Sequence, residues 1–349
     1  MTRLKWKKEL STTNKNDARF GTPMLVAEYR AKRLGVADTI IEVGAGAGFQ
    51  TAALAKQYKK VIAIDSDNER LGRANKLPNV VRIHGNALDH DVFESVKKQS
   101  EGIVIIFLDP ERPATSQERT LAEITPNIQE FIALYSTITQ DIAIELPPFL
   151  KQIPFVCEKE YLSIDGVLNR LTIYLGSLKR CEYSVVQLPE QERVERNDNI
   201  LQEKTTFAPL TVHQRYLIDP DAALIHAGFT SRVFEQPMLP FDIGNKTVYL
   251  AEHSLEKYQH FAKQYMVLSH GSERKMLEKM SSLHATIILH GKINNNEQAA
   301  ILQKAYSKGK QRIHVFLGKE WYVCKKIDPA AHKKKRSKAK LLKAKHKKD

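Results

Sequence analysis

Apolar runs alternate with amphipathic stretches over the first 150 residues. Met24, Leu25, Ala27, Tyr29 and Leu34 share a partly amphipathic face, which predicts a helix over 23–35. Thr39-Ile40-Ile41-Glu42-Val43 reads as a strand that runs into Gly44-Ala45-Gly46-Ala47-Gly48. Beyond it the pattern predicts a helix over 49–58, a strand over 60–65, a helix over 67–75, a strand near 80–83 and a helix over 91–99. Ile103 to Leu108 form an apolar strand stopped by Asp109-Pro110; a long helix over 117–137 and a strand over 141–145 follow. Apolar strands separated by helices predict a parallel sheet covered on both faces.

After Pro154 the pattern changes. Phe155–Leu162, Leu168–Leu175 and Cys181–Leu188 are three β-rich runs, with turns at Asp165-Gly166 and Gly176. With no helices between them, they are expected to add antiparallel to one edge of the sheet. The charged stretch 189–206 reads as an irregular linker. A second α/β unit is expected over 207–328, with strands near 246–251, 264–269, 284–290, 312–318 and 320–327 and helices near 271–282 and 295–307. The remaining segments are a basic N-terminal stretch with its helix (1–35), the first domain (36–188) and a basic tail (329–349).

Composition adds a direction. No apolar stretch approaches the roughly 18–20 residues of a membrane span, and Met1–Trp6 lack the core of a secretory signal. Cys157, Cys181 and Cys324 show neither disulfide nor zinc spacing, so no metal site and a cytoplasmic protein are expected. The net charge of +14 is concentrated at the ends. Residues 332–349 hold ten Lys/Arg against Asp349 alone, and Arg3, Lys5, Lys7, Lys8, Lys15 and Arg19 outnumber Glu9 and Asp17. Such a tail carries too little to bury, is expected to be disordered when free, and attracts polyanions.

The main chemical signal is Glu42-Val43-Gly44-Ala45-Gly46-Ala47-Gly48, followed 21 residues after Gly44 by Asp65 with Ser66 beside it. Glycines at a strand-to-helix turn let backbone approach a cofactor, and an acid ending the next strand suits the ribose hydroxyls of an adenosine. A dinucleotide site would need a final glycine where Phe49 stands, and Glu42 would repel a pyrophosphate while suiting an ammonium. These residues resemble motif I of the class I S-adenosylmethionine-dependent methyltransferases. That resemblance implies a Rossmann-like seven-stranded sheet and adenine contacts from Asn86 and Ala87.

Asp109-Pro110-Glu111-Arg112 stands where base N-methyltransferases carry D/N-P-P-Y/F. The missing aromatic argues against assuming amino-directed chemistry. Leu146-Pro147-Pro148-Phe149 is either a loop lining the site or a rigid turn. Asp109 and Pro110 are expected to position the acceptor; Arg112 either grips a phosphate or carboxylate, or forms a surface ion pair.

Over residues 23–327 the chain resembles a group of class I methyltransferases fused to a C-terminal THUMP-like domain. The likeness rests on Ala27–Leu34, the glycine loop, Asp109–Arg112, Ile144–Pro148, Glu160–Gly166, Tyr216–Asp221 and Ala227-Gly228. It implies a smaller THUMP-like α/β domain after the sheet and an RNA substrate, tRNA or rRNA. His213, Arg215, His226, Arg232, Arg274, Lys275 and Lys279 could extend a basic surface. Two rival expectations stand: a methyltransferase for a protein of translation, or an RNA-binding protein that keeps the cofactor fold without catalysis. Oligomeric state is not legible.

Overall fold

The computed structural model describes residues 21–111, 120–150, 152–197, 215–234, 236, 238–244, 246–291, 302–304 and 309–328. The chain divides into two compact units, Met1–Asn199 and Ile200–Asp349. The expected basic N-terminus (1–20), Arg112, His213, most of the 295–307 helix and the 329–349 tail lie outside the described residues.

In the first unit the strands are β1 (Thr39–Val43), β2 (Lys60–Asp65), β3 (Val80–His84), β4 (Val104–Leu108), β5 (Ile142–Leu146), β6 (Glu158–Ile164), β7 (Val167–Tyr174), β8 (Tyr183–Leu188) and β9 (Glu192–Arg196). They form one sheet in the order β3-β2-β1-β4-β5-β7-β6-β8-β9. β1 to β5 are parallel, and every residue of β1 is buried, which is why these strands read as unbroken apolar runs.

The sheet has nine strands rather than the expected seven, and two expectations about its edge fail. β6 and β7 form a hairpin turned by Gly166 at φ 81, and β7 seats itself between β5 and β6, antiparallel to both. β8 then pairs parallel with β6, not antiparallel, because the chain crosses to the far side of the hairpin. The charged stretch expected to be irregular instead supplies β9, antiparallel to β8. Its charge disguised it: Arg196 is only 2% exposed, and Arg193 reaches buried acids.

The helices are α1 (Met24–Leu34), α2 (Phe49–Ala55), α3 (Asn68–Arg73), α4 (His90–Gln99) and α5 (Ile128–Tyr135). The long helix expected over 117–137 is interrupted. A short 3-10 turn at Leu121–Glu123 comes first, then Pro126, which has no amide proton to donate. Asn127 restarts the helix by accepting from the Gln129 and Glu130 amides.

The second unit is a seven-stranded sheet with β10 (Tyr216–Pro220), β11 (Met238–Ile243), β12 (Lys246–Ala251), β13 (Ala262–Gly271), β14 (Ala285–His290), β15 (Gln311–Leu317) and β16 (Trp321–Lys326). The order is β11-β12-β10-β13-β16-β15-β14, and only β14 and β15 run parallel. Two strands, β10 and β11, exceed expectation. Short helices α6 (Ala222–His226) and α7 (Thr230–Phe234) join them. Helix α8 (Glu273–Ser281) presses Met276 and Met280 onto Ile287, Ile313, Val315 and Val323 on one face. Leu217, Leu250, Tyr265, Phe316 and Tyr322 pack together on the other.

No described helix is long and apolar enough to cross a membrane. Among the described residues no group of three His, Cys, Asp or Glu could hold a metal.

Candidate active site

The C-terminal ends of β1, β2 and β4 open onto one cleft, as expected of a parallel sheet whose strand order changes direction at β1. Leaving β1, the chain turns through Gly44 at φ 80 and Gly48 at φ 81, both in the left-handed region. A Cβ on Gly44 would stand 2.1 Å from the Asp109 carbonyl oxygen, and one on Gly48 would stand 2.6 Å from the Ala74 Cβ. Glycine is therefore required at both positions by contact as well as by backbone angle.

Asp65 ends β2, and its two carboxylate oxygens accept from the Gly46 amide (2.7 Å) and the Asp67 amide (2.8 Å). Each oxygen keeps a lone pair for a ribose hydroxyl. Ser66 is exposed beside it. Asn86 caps its own turn, its Oδ1 accepting from the Leu88 amide (3.1 Å), and is otherwise exposed. The Ala87 carbonyl is taken by the Tyr135 hydroxyl (3.0 Å), which fixes this loop to α5. Ala45 is buried at the loop's base, under Ala63 and Leu71.

The floor of the cleft is acidic. Glu42 is 1% exposed, and its Oε2 has no hydrogen-bond partner. Burial pushes its carboxyl up to about 8; the Thr51 hydroxyl draws it back, Asp109 and Asp65 push it further, and Arg30 lowers it. Asp109 follows β4, its amide held by the Val43 carbonyl (2.9 Å). Burial raises its carboxyl too, opposed by Arg170 and Arg30. Pro110 stops the strand, and Glu111 turns outward to pair with Arg70 and to bridge Thr125.

Three further residues complete the floor without having been assigned a role from sequence. Arg30 of α1 is 2% exposed, pairs with Glu145 at 2.6 Å and lies over the Phe107 ring at 4.5 Å. Gln50 and Thr172 accept its remaining donors (3.3 and 3.4 Å). Arg170 of β7 grips Glu145 from the opposite side. The available signal was an arginine inside the buried face of α1 and an acid at the end of an otherwise apolar β5. Charged residues at such positions are rarely buried unless paired.

Comparison with known proteins matches this geometry. Residues 30–187 match the family model for ribosomal RNA adenine dimethylase, fewer than half of the 349 residues. A candidate methyltransferase from Porphyromonas gingivalis W83 superposes with a TM-score of 0.69 at 13% identity, over 90% of this chain and 83% of that one. The fold is that of the class I methyltransferases. Smaller overlaps include a candidate caffeoyl-CoA O-methyltransferase from Staphylococcus aureus (TM-score 0.30, 16% identity, 44% of this chain and 82% of that one). Another is a precorrin 8W decarboxylase from Methanobacterium thermoautotrophicum (TM-score 0.30, 18% identity, 44% and 91%). No curated protein sequence matches.

S-adenosylmethionine is the cofactor that these residues fit. The orphaned Glu42 oxygen is placed for an ammonium, the glycine cradle admits a close ligand, and Asp65 offers acceptors to a ribose. A pyrophosphate would meet the buried acids Glu42 and Asp65 and the half-buried Asp109 instead.

Proposed function

We propose that this protein is an S-adenosylmethionine-dependent methyltransferase acting on RNA, tRNA or rRNA, with its second, THUMP-like unit and basic tail binding that RNA. The observation that carries the reading is the pair Glu42 and Asp109, ending adjacent strands over a glycine cradle in a chain that resembles a ribosomal RNA adenine dimethylase.

When bound, the cofactor supplies a methyl group already activated by its sulfonium charge. The chain's task is alignment and exclusion of water, and alignment can lower a barrier by about 7–11 kcal/mol. Glu42 would hold the ammonium end, Asp65 the ribose, and Asn86 with Ala87 the adenine edge. Asp109 would orient the acceptor and take up its proton, a task suited to a carboxyl whose affinity for protons is raised. Arg30 and Arg170, locked on Glu145, would keep Asp109 from drifting.

The test is transfer of a labelled methyl group from S-adenosylmethionine to cellular RNA, followed by nucleoside mapping. Label in an RNA nucleoside is expected. Label only in a nuclease-resistant protein band would overturn the RNA substrate. Cofactor binding with no transfer would mark a protein without catalysis.

A further inference from the structure

One face of the second sheet carries a short diagonal row of positive charge across three neighbouring strands, with two histidines beside it. β13 contributes Lys263, β16 Lys326, β15 Arg312 and His314, and β14 His290. Register fixes the positions: Tyr265 lies opposite Lys326 and His314 opposite Cys324, so Arg312 and Lys326 are cross-strand neighbours, Lys263 lies two residues from Tyr265, and His290 lies opposite Phe316. Alternation along β14 and β15 puts His290 on the same side as Arg312, His314 and Phe316, whereas Ile287, Ile313 and Val315 face α8.

The floor of the row is rigid. His290 Nε2 and His314 Nδ1 are 2.8 Å apart, so one ring donates and the other accepts. His290 stacks on Phe316 at 4.4 Å and 8°, and Tyr265 leans on His314 at 4.9 Å. Burial, then neighbouring cations, push both imidazoles down to about 4, so the floor is neutral while its rim is charged.

Asp219 lies opposite Lys263 in the β10–β13 pair but is engaged by Lys246 of β12. Among the described residues Lys263, Lys326 and Arg312 have no carboxylate partner, and all three are exposed. Like charges held on neighbouring strands repel one another, a cost that a polyanion would remove. β13, β16 and β15 are successive neighbours, so the three charges span two strand spacings, roughly 10 Å.

We infer that Lys263, Arg312 and Lys326, set around the His290–His314 floor, form a phosphate-binding row that takes the backbone of an RNA strand. This rests on the RNA reading above and places the contact within the second unit.

The measurement is binding of a fluorescent 20-nucleotide RNA to the full chain across a salt series. K263Q/R312Q/K326Q should lose at least tenfold in affinity at 0.1 M salt. Its log–log salt slope should become shallower by about 2–3, because each lost phosphate contact removes about 0.7–0.9. The control R274Q/K275Q/K279Q on α8 should stay within twofold, and both variants should melt as the parent does. Equal loss in both variants, or an unchanged slope in the first, overturns the row. If the parent binds RNA and the first variant binds as well, only the row falls; if the parent binds no RNA, the proposed substrate falls with it.

Discussion

Gly44 passes so close to Asp109 that any side chain on the first would collide with the carbonyl oxygen of the second. The glycine loop and the candidate acceptor-orienting residue are therefore a single packed unit across β1 and β4. Gly44→Ala must pay for a left-handed backbone, about 1–2 kcal/mol, and also push Asp109 away. Denaturant unfolding should show a loss of about 2–4 kcal/mol. Calorimetry should show S-adenosylmethionine binding reduced by at least tenfold. A variant with parental affinity would mean that the loop does not approach the ligand.

Glu42 sets stability against binding. Its folded-state carboxyl titrates near 8 against an ordinary 4.5, so between those values the folded protein holds a proton that the unfolded chain has released. Stability from this group is lost as pH rises, by up to about 1.4 kcal/mol per unit, and levels off above about 8. Glu42→Gln should therefore be more stable than the parent at pH 8, and the gap should close towards pH 5. The same variant should bind S-adenosylmethionine more weakly. In the parent at pH 7, binding should release protons, measured by calorimetry in buffers of different ionisation enthalpy. No release would detach Glu42 from the ligand's ammonium.

The cluster beneath α1 should respond in the opposite sense. Burial alone would raise Glu158, but Arg33 (2.8 Å), the Arg180 amide, Ser184 and Arg193 together hold it down at about 2. Its contribution is fully present above the ordinary carboxylate value and is lost as pH falls towards 2. Glu158→Gln should cost about 3–5 kcal/mol at pH 7, because the buried Arg33 and the half-buried Arg193 lose a partner. Acid denaturation should show this difference shrinking below pH 4. A constant difference down to pH 2 would mean that the loss is one of shape.

Asp109→Asn keeps the outline of the side chain and removes its charge. The expected result is a kcat reduced by about 10²–10³ with cofactor affinity changed only a few-fold, read from single-turnover transfer and equilibrium binding. Arg170→Met should lower kcat less and move the pH profile, since Arg170 holds the Asp109 carboxyl down. If kcat and its pH profile both match the parent, Arg170 is a structural residue.

The parallel half of the fold was legible because buried strands leave apolar runs and glycines mark where a ligand must come close. The edge was less so. β9 alternates charged residues whose burial depends on acids 33 to 35 residues earlier in the chain, a pairing that local pattern does not encode. Pro126 was visible, yet the apolar positions around it still suggested one helix. At the site, the acids and glycines sit in a recognisable spacing. Arg30, Glu145 and Arg170 come together only through α1, β5 and β7, so their relation appears with the tertiary structure.

Helix α1 is held on one side by Arg30 in the cleft floor and on the other by Arg33, which shares Glu158 and Glu160 with Arg193 of β9. Residues near the beginning and end of the unit thus answer to the same buried carboxylates. During synthesis, the first helix can settle fully only after about 160 further residues have emerged. A chain cut after Leu188 would leave Glu158 and Glu160, among the described residues, with Arg33 as their one guanidinium partner, beside their hydroxyl and amide donors, and the floor under the glycine loop would loosen from its far edge inward. The smallest fragment able to hold the cofactor cleft therefore ends beyond Arg196.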